Sequence, residues 1–166
     1  LQRLLALGVE HLIMLTGDHE EVAQRIAGEV GITDVRAGLM PDQKLDAIAA
    51  LQSEFGKVAM TGDGVNDAPA LATATVGIAM GAAGTAVALE TADVALMADD
   101  LSKLPFAVGL SQASRRIIRQ NLVIALGIII LLVLTSVLGL VQLTGAVLLH
   151  EGSTILVVLN ALRLLC

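Results

Sequence analysis

The chain has 166 residues, of which 55% are hydrophobic, with a formal charge of −6 and a mean hydropathy of +0.81. That is too apolar for an ordinary soluble domain of this length, so part of the chain is expected to lie in lipid. Fifteen of the sixteen acidic residues but only six of the ten Lys and Arg precede Leu110, which gives this first part a charge of about −9. An acidic surface of this kind argues against a nucleic-acid partner.

The start of the chain and its one cysteine limit the protein class further. Leu1 is not an initiator Met, and no charged segment precedes a short apolar run, so we expect no signal peptide and interpret the chain as a fragment. Cys166 supports neither a disulfide framework nor a cysteine metal site, because it has no second cysteine in the chain.

Short apolar runs alternate with amphipathic stretches from Leu12 to Leu96. Strands are predicted at 11–15, 57–60, 76–80 and 93–97, and helices at 20–30, from Pro41 to a stop at Gly56, and around 85–91. We expect Asp18 to cap the first helix. The second helix carries an apolar stripe of Leu45, Ile48, Ala49 and Leu51. Strands that alternate with helices predict a parallel, doubly wound α/β sheet.

Two of these strands end in the same polar sequence. The first is followed by TGD at 16–18 and the second by TGDGVNDAPAL at 61–71. Gly62 and Gly64 allow the backbone to approach an anion closely, while Asp63 and Asp67 are hard oxygen ligands suited to Mg²⁺. Lys44, in the first turn of the second helix, could place a cation on the same phosphate. The pattern therefore indicates phosphoryl transfer.

Each element also has a simpler interpretation. A Thr-Gly-Asp sequence alone is usually a strand-to-helix turn, and a lysine beside a Pro-Asp helix start is usually solvated. The longer sequence is different, because a turn needs neither two carboxylates four residues apart nor an Asn beside the second one. We therefore favour a functional interpretation for the segment at 61–71.

The last third of the chain predicts a membrane hairpin. A helical stalk at 101–121, which Pro105 would start or kink, leads into two uncharged segments at 122–141 and 146–165 around a short turn at 142–145. Arginines flank both open ends of the hairpin, at 115, 116, 119 and 163. The positive-inside rule places those ends, and the acidic part of the chain, in the cytoplasm.

The second span contains ionisable residues. His150 and Glu151 lie one turn inside it, where such groups are costly and tend to face a cavity or a transport path. Helical spacing puts Thr154 on the same side as His150, and Gly152 leaves room for a neighbouring helix. The alternative is structural: His150 and Glu151 pair with each other or reach the outer interface.

Three sequences resemble the phosphorylation domain of P-type cation-transporting ATPases: MLTGD at 14–18, PDQK at 41–44 and MTGDGVNDAPAL at 60–71. The segment at 77–97 and the HEGST and VVLNALRLL sequences of the last span are similar to the heavy-metal branch of that family. One departure is Ala86, where that branch has Asp after Gly-Thr. The resemblance implies a partial haloacid-dehalogenase-like (Rossmann-like) parallel sheet at 1–100, which is the C-terminal half of the phosphorylation domain. A stalk helix at 101–120 and a two-helix transmembrane hairpin at 121–166, with spans at about 122–142 and 146–165, would follow it.

The resemblance also implies roles for individual residues. In the Thr16-Gly17-Asp18 sequence, Thr16 would hydrogen-bond the phosphoryl group, and Lys44 would neutralise it. Asp63 would ligate Mg²⁺, and Asn66 with Asp67 would complete the site around the metal and the phosphate. The transported metal would be held by His150, Glu151 and Thr154. Imidazole and carboxylate suit borderline divalent metals better than Cu(I), and His-Glu-Gly-Ser/Gly-Thr is typical of the subgroup linked to cobalt and also to zinc, iron or nickel.

The implied function is ATP-driven export of a divalent transition metal (Co, Zn, Cd, Ni or Fe). Mg²⁺ would be the cofactor and ATP the substrate of a full-length multi-pass enzyme in a membrane, such as a bacterial plasma membrane. The phosphorylated Asp of an Asp-Lys-Thr-Gly-Thr sequence is not in this chain, nor are the nucleotide-binding and actuator domains. We therefore expect the chain to be inactive alone and to need the remaining domains and membrane helices as partners.

Two alternatives from other classes remain open. One is a membrane-tethered haloacid-dehalogenase-like phosphatase, which would need an Asp-x-Asp sequence that the predicted strand ends do not offer. The other is a non-catalytic, metal-binding membrane module.

Overall fold

The computed structural model describes residues 1–62, 66–81, 90–97 and 100–165. They fall into two units, an α/β unit (Leu1–Phe106) and a helical unit (Ala107–Cys166). The elements of the α/β unit are α1 (Gln2–Ala6), β1 (Ile13–Leu15), α2 (Glu20–Val30), β2 (Asp34–Arg36), α3 (Pro41–Phe55), β3 (Ala59–Gly62), α4 (Ala68–Thr73), β4 (Val76–Met80) and β5 (Val94–Leu96). Most of the helix predicted around 85–91, including Ala86, lies outside the described residues.

All strand pairs in the described residues are parallel, as the alternation of strands and helices predicts. β1 pairs with β2, and β3, β4 and β5 form a second sheet in that order. β3 begins two residues later than predicted and continues through Thr61 and Gly62, so the second polar sequence starts inside the strand. β2 is an addition to the predicted elements.

Local signals explain the ends of α3. Pro41 occupies its first position, where a missing amide hydrogen costs nothing, and the amide of Met40 donates to Gln43 Oε1 at 2.8 Å. Gly56 follows the last residue with φ +83°, a conformation that favours glycine. α2 also begins where predicted, but Asp18 does not cap it. The N-cap is His19, without a side-chain hydrogen bond.

The core of the α/β unit lies between α3, α4 and β3. It consists of buried Ile48, Met60, Ala70, Leu71 and Ala74, with Leu15 and Val58 packed against them. Ala49, assigned to the apolar stripe of α3, is exposed, and Ala47 is buried instead. Because Leu15 precedes Thr16 and Met60 precedes Thr61, one set of apolar contacts supports both polar sequences.

A 3₁₀ turn, Leu101–Lys103, lies near the end of the α/β unit. Asp100 caps this turn by accepting a hydrogen bond of 2.9 Å from the Ser102 amide to its Oδ1. Hydrogen bonds from the Ser102 side chain and backbone hold the pKa of Asp100 below its usual value. The carboxylate form that caps the turn is therefore favoured.

The remaining helices are α5 (Leu104–Val137) and α6 (Leu143–Leu162). Pro105 is the second residue of α5, so it starts the helix and does not kink it. The turn between the helices lies a few residues earlier than predicted, because Gly139 adopts φ +70° and the Leu140 amide donates back to Thr135 O at 2.9 Å. Both helices are long and apolar enough to cross a bilayer, with 6% of each apolar segment buried.

A test of this packing uses Gly77 in β4. A Cβ at this position would lie 2.6 Å from the carbonyl oxygen of Leu71, so the backbone of α4 would have to move. We expect Gly77→Ala to lower the free energy of unfolding of the α/β unit by about 1–3 kcal/mol, measured by pulse proteolysis in urea.

Gly28→Ala is the matched control for Gly77→Ala. Gly28 is an exposed residue of α2 with open space around its Cα, so alanine there should raise stability by about 0.5–1 kcal/mol. Equal stability of Gly77→Ala and the unmodified protein would contradict the close approach of α4 to β4.

Candidate functional site

The first polar sequence is fixed by backbone hydrogen bonds. The Thr16 amide donates to Arg36 O at 3.0 Å, the Leu39 amide donates to Thr16 O at 3.0 Å, and the Gly38 amide donates to Asp18 O at 2.8 Å. The Thr16 hydroxyl donates to Asp18 Oδ2 at 3.1 Å and accepts from the Asp18 amide at the same distance. The backbone at 16–18 is therefore held by residues 36–39, while the carboxylate of Asp18 is exposed.

The second polar sequence centres on an ion pair. Lys44 Nζ lies 2.7 Å from Asp67 Oδ1, and the two side chains are only 16% and 11% exposed. Partial burial removes water from both charges, so each depends on the other for compensation. Asp67 also precedes α4, where its carbonyl oxygen accepts from the Leu71 amide at 2.8 Å. The ion pair therefore ties the first turn of α3 to the start of α4.

Gly62 admits the Asp67 side chain. A Cβ on Gly62 would lie 2.8 Å from Asp67 Oδ2 and 2.9 Å from Asp67 Cβ, which is closer than carbon atoms normally approach either atom. The strand end can carry no side chain here as long as Asp67 keeps its position. The sequence predicts that this glycine allows the backbone to approach an anion, and in the structure the neighbouring anion is the carboxylate of Asp67.

The N-terminus of α3 connects the two sequences. The amide of Leu39 binds Thr16, and five residues later the ammonium group of Lys44 binds Asp67. The structure thus brings Thr16 and Asp67 into contact with one short segment, residues 39–44, to which Lys44 belongs. Leu39 was missed from the sequence because it acts through its backbone amide, which leaves no signal in the residue type.

The predicted Mg²⁺ ligands are described only in part. Asp63 and Gly64 lie outside the described residues, and Asn66 is exposed next to Asp67 at the start of α4. An aspartate with an asparagine beside it offers hard oxygen donors, so the chemistry of the described residues fits Mg²⁺. Among the described residues, no group of three His, Cys, Asp or Glu side chains lies close enough to hold a metal ion.

The ionisable residues of the second span lie on α6. The Thr154 hydroxyl donates to the carbonyl oxygen of His150 at 3.3 Å, and the Ser153 hydroxyl donates to the same oxygen at 2.6 Å. His150, Glu151 and Thr154 are exposed. In the part of the chain that the structure describes, His150 and Glu151 form no ion pair with each other.

Gly152 has open space around it, since a Cβ at this position would meet no atom within 4 Å. It lines, with Ser153, an apolar groove of about 450 Å³ between α5 and α6. The groove therefore lies beside the part of α6 that carries the ionisable residues.

Comparison with known proteins identifies the relatives of this chain. Residues 1–75 match the family model of haloacid dehalogenase-like hydrolases. The chain is 55% identical over 165 residues to a cadmium-transporting ATPase of Staphylococcus aureus, covering 99% of this chain and 23% of that protein. It is 54% identical over 165 residues to a zinc-transporting ATPase of Bacillus subtilis (strain 168), covering 99% of this chain and 26% of that protein.

A solved structure agrees with the sequence relatives. The crystal structure of a zinc-transporting PIB-type ATPase matches with a TM-score of 0.89 and 47% identity, covering 99% of this chain and 27% of that one. The predicted fold class is therefore confirmed: a haloacid-dehalogenase-like parallel sheet followed by two long apolar helices.

The chain is thus a relative of the heavy-metal P-type ATPases over nearly its whole length, and the resemblance seen in its motifs is confirmed. Its relatives and its two apolar helices identify it as a membrane protein. It spans about a quarter of the length of these relatives.

The ion pair of the site can be tested by a double-mutant cycle with Lys44→Met and Asp67→Asn. Because both side chains are largely buried, we expect a coupling of about 1–2 kcal/mol in the free energy of unfolding of the α/β unit, measured by pulse proteolysis in urea.

The matched control cycle pairs Asp67→Asn with Lys57→Met. Lys57 is exposed and is not the ion-pair partner of Asp67, so these two changes should add within about 0.5 kcal/mol. Additive effects of the Lys44 and Asp67 changes would show that the pair does not join α3 to α4.

Proposed function

We propose that this chain is the C-terminal part of a heavy-metal P-type ATPase that uses ATP hydrolysis to export a divalent transition metal. In this proposal residues 1–100 form the C-terminal half of the phosphorylation domain, 101–120 a stalk helix, and 121–166 two membrane spans. The observation that carries the proposal is the contact of the α3 N-terminus with both Thr16 and Asp67. A threonine and an aspartate held by one short segment that itself supplies a cation suit the recognition of a phosphoryl group.

Lys44 is the proposed phosphate cation. An ammonium group has three N–H donors, and the 2.7 Å contact with Asp67 accounts for one of them, so donors remain for a phosphoryl oxygen. Asp67 would aim the ammonium group while Lys44 compensates the buried carboxylate. The ion pair would therefore orient the cation before a phosphate arrives, which lowers the cost of reorganisation.

Thr16 is the proposed hydrogen-bond donor to the phosphoryl group. Its backbone is held on both sides by the Arg36 carbonyl and the Leu39 amide, so its position does not depend on its hydroxyl bond to Asp18. The hydroxyl can rotate from Asp18 to a phosphoryl oxygen without moving the chain. Gly17 would keep the adjacent backbone free of a side chain, since a Cβ there would lie 3.3 Å from Leu39 O.

Asp63 and Asp67 are the proposed Mg²⁺ ligands, with Asn66 completing the site and Gly62 and Gly64 keeping the loop open. A bound Mg²⁺ ion supplies charge neutralisation on the phosphoryl oxygens. ATP and the aspartate that receives its phosphoryl group belong, in this proposal, to the complete protein, as do the remaining domains and membrane helices.

His150, Glu151 and Thr154 are the proposed contribution of this chain to the transport site. Imidazole and carboxylate groups exposed on an apolar helix are costly unless a partner or an ion compensates them. Their donor atoms suit borderline divalent metals such as Zn²⁺, Cd²⁺ or Co²⁺. The names of the relatives, a cadmium-transporting and a zinc-transporting ATPase, support this class of metal.

The test uses the complete protein that contains this chain, with Lys44→Ala compared with Lys57→Ala. We expect Lys44→Ala to lower the rate of phosphoenzyme formation from ATP about 100-fold, because one preorganised electrostatic contact to the phosphoryl group is lost. Lys57→Ala removes an exposed lysine from the same unit and should leave the rate unchanged.

A third variant, His150→Ala, separates the two proposed sites. It should abolish stimulation of ATP hydrolysis by divalent metal, yet leave phosphoenzyme formation from inorganic phosphate intact, while His11→Ala should affect neither. Equal rates of phosphorylation for Lys44→Ala and Lys57→Ala would contradict the phosphate site. Full metal stimulation in His150→Ala would contradict the transport site.

A further inference from the structure

Four arginines lie at the open end of the membrane hairpin. Arg115, Arg116 and Arg119 lie on α5, and Arg163 directly follows α6. The Asn160 amide joins the helices at this level by donating to Asn121 Oδ1 at 2.8 Å and to Gln120 Oε1 at 3.3 Å. The guanidinium groups of both helices are therefore gathered at one end of the helical unit.

A groove of about 530 Å³ opens between the helices at this end. Three of the four arginines line it: Arg116, Arg119 and Arg163. Below them, toward the middle of α5, Val123 and Ile124 give the groove an apolar floor. The lining therefore changes from cationic to aliphatic within about one helical turn.

These charges are not balanced within the helical unit. Residues 107–166 contain four Arg, no Lys and one acidic residue, Glu151. Glu151 lies twelve residues before Arg163, or about 18 Å along the helix. Within the described residues, the ion pair between Lys44 and Asp67 is the only one, so no described carboxylate pairs with these guanidinium groups. A guanidinium group has five N–H donors, and Arg163 uses one of them on Asn160 Oδ1, at 3.1 Å.

We propose that this groove binds the headgroup of an anionic phospholipid of the phosphatidylglycerol type. Guanidinium groups match phosphate oxygens in geometry and charge, and basic grooves between membrane helices at the cytoplasmic interface suit anionic lipids. The aliphatic floor selects an amphiphile over a free anion, because the start of an acyl chain can cover Val123 and Ile124. The site depends on the membrane location of the hairpin and not on the proposed metal transport.

The test is native mass spectrometry of the complete protein in detergent micelles with defined added lipids. We expect phosphatidylglycerol to bind more tightly than zwitterionic phosphatidylcholine of the same acyl chains, by about tenfold or more. Each arginine near the headgroup contributes about fivefold, so Arg119→Gln should lower phosphatidylglycerol affinity about fivefold, and Arg116→Gln/Arg119→Gln further.

Arg115→Gln is the matched control, since it removes the same charge from α5 one turn before Arg119, and Arg115 does not line the groove. It should leave the affinity within about twofold. Equal losses in Arg115→Gln and Arg119→Gln would overturn the site in favour of diffuse surface charge. Equal binding of the two lipids, or displacement of phosphatidylglycerol by millimolar inorganic phosphate, would overturn the lipid assignment.

Circular dichroism of each variant separates lost binding from lost folding. The conservative Arg119→Lys variant, which keeps the charge, should recover part of the affinity.

Discussion

The α/β unit depends on one partly buried ion pair, Lys44 with Asp67, at the point where α3 begins. Burying a carboxylate to 11% exposure is costly unless a cation lies beside it, and α3 supplies that cation from its first turn. Five residues earlier, the Leu39 amide holds Thr16. The start of one helix therefore sets the distance between the two polar sequences, which are far apart along the chain. The same contact requires a glycine at position 62, because only a residue without a side chain leaves room for Asp67.

The two units of the chain carry net charges of opposite sign. In the α/β unit acidic residues are in excess, and the cation that is buried there has a carboxylate partner. In the helical unit arginines are in excess and gather at one end, while the single acidic residue lies about 18 Å away. A helical hairpin satisfies its own backbone in lipid, but this one has no acidic residue at its arginine-rich end. Within the described residues no carboxylate pairs with these arginines, which is the imbalance from which the lipid site is inferred.

Much of the fold follows from local signals, and the site follows from them only in part. Pro41 and Gly56 predict both ends of α3 because each residue acts through its own backbone. β2 has a single apolar residue among three, too few to show a strand period, so it could not be predicted. The Asp18 cap was a wrong prediction because its carboxylate accepts the Thr16 hydroxyl instead, and His19 occupies the N-cap position of α2. The motifs identified the residue types of the site, but the pairing of Lys44 with Asp67 joins residues 23 apart and is a tertiary contact.

The most direct test of the central constraint is amide hydrogen exchange of the complete protein with Lys44→Met, compared with Lys57→Met. If the ion pair holds the start of α3, then losing the charge at position 44 should accelerate exchange about tenfold at the amides of both Leu39 and Leu71. The change at position 57 should leave both amides protected. Unchanged protection of the Leu39 and Leu71 amides in Lys44→Met would contradict the role of the ion pair, because the two polar sequences would then be held together by other contacts.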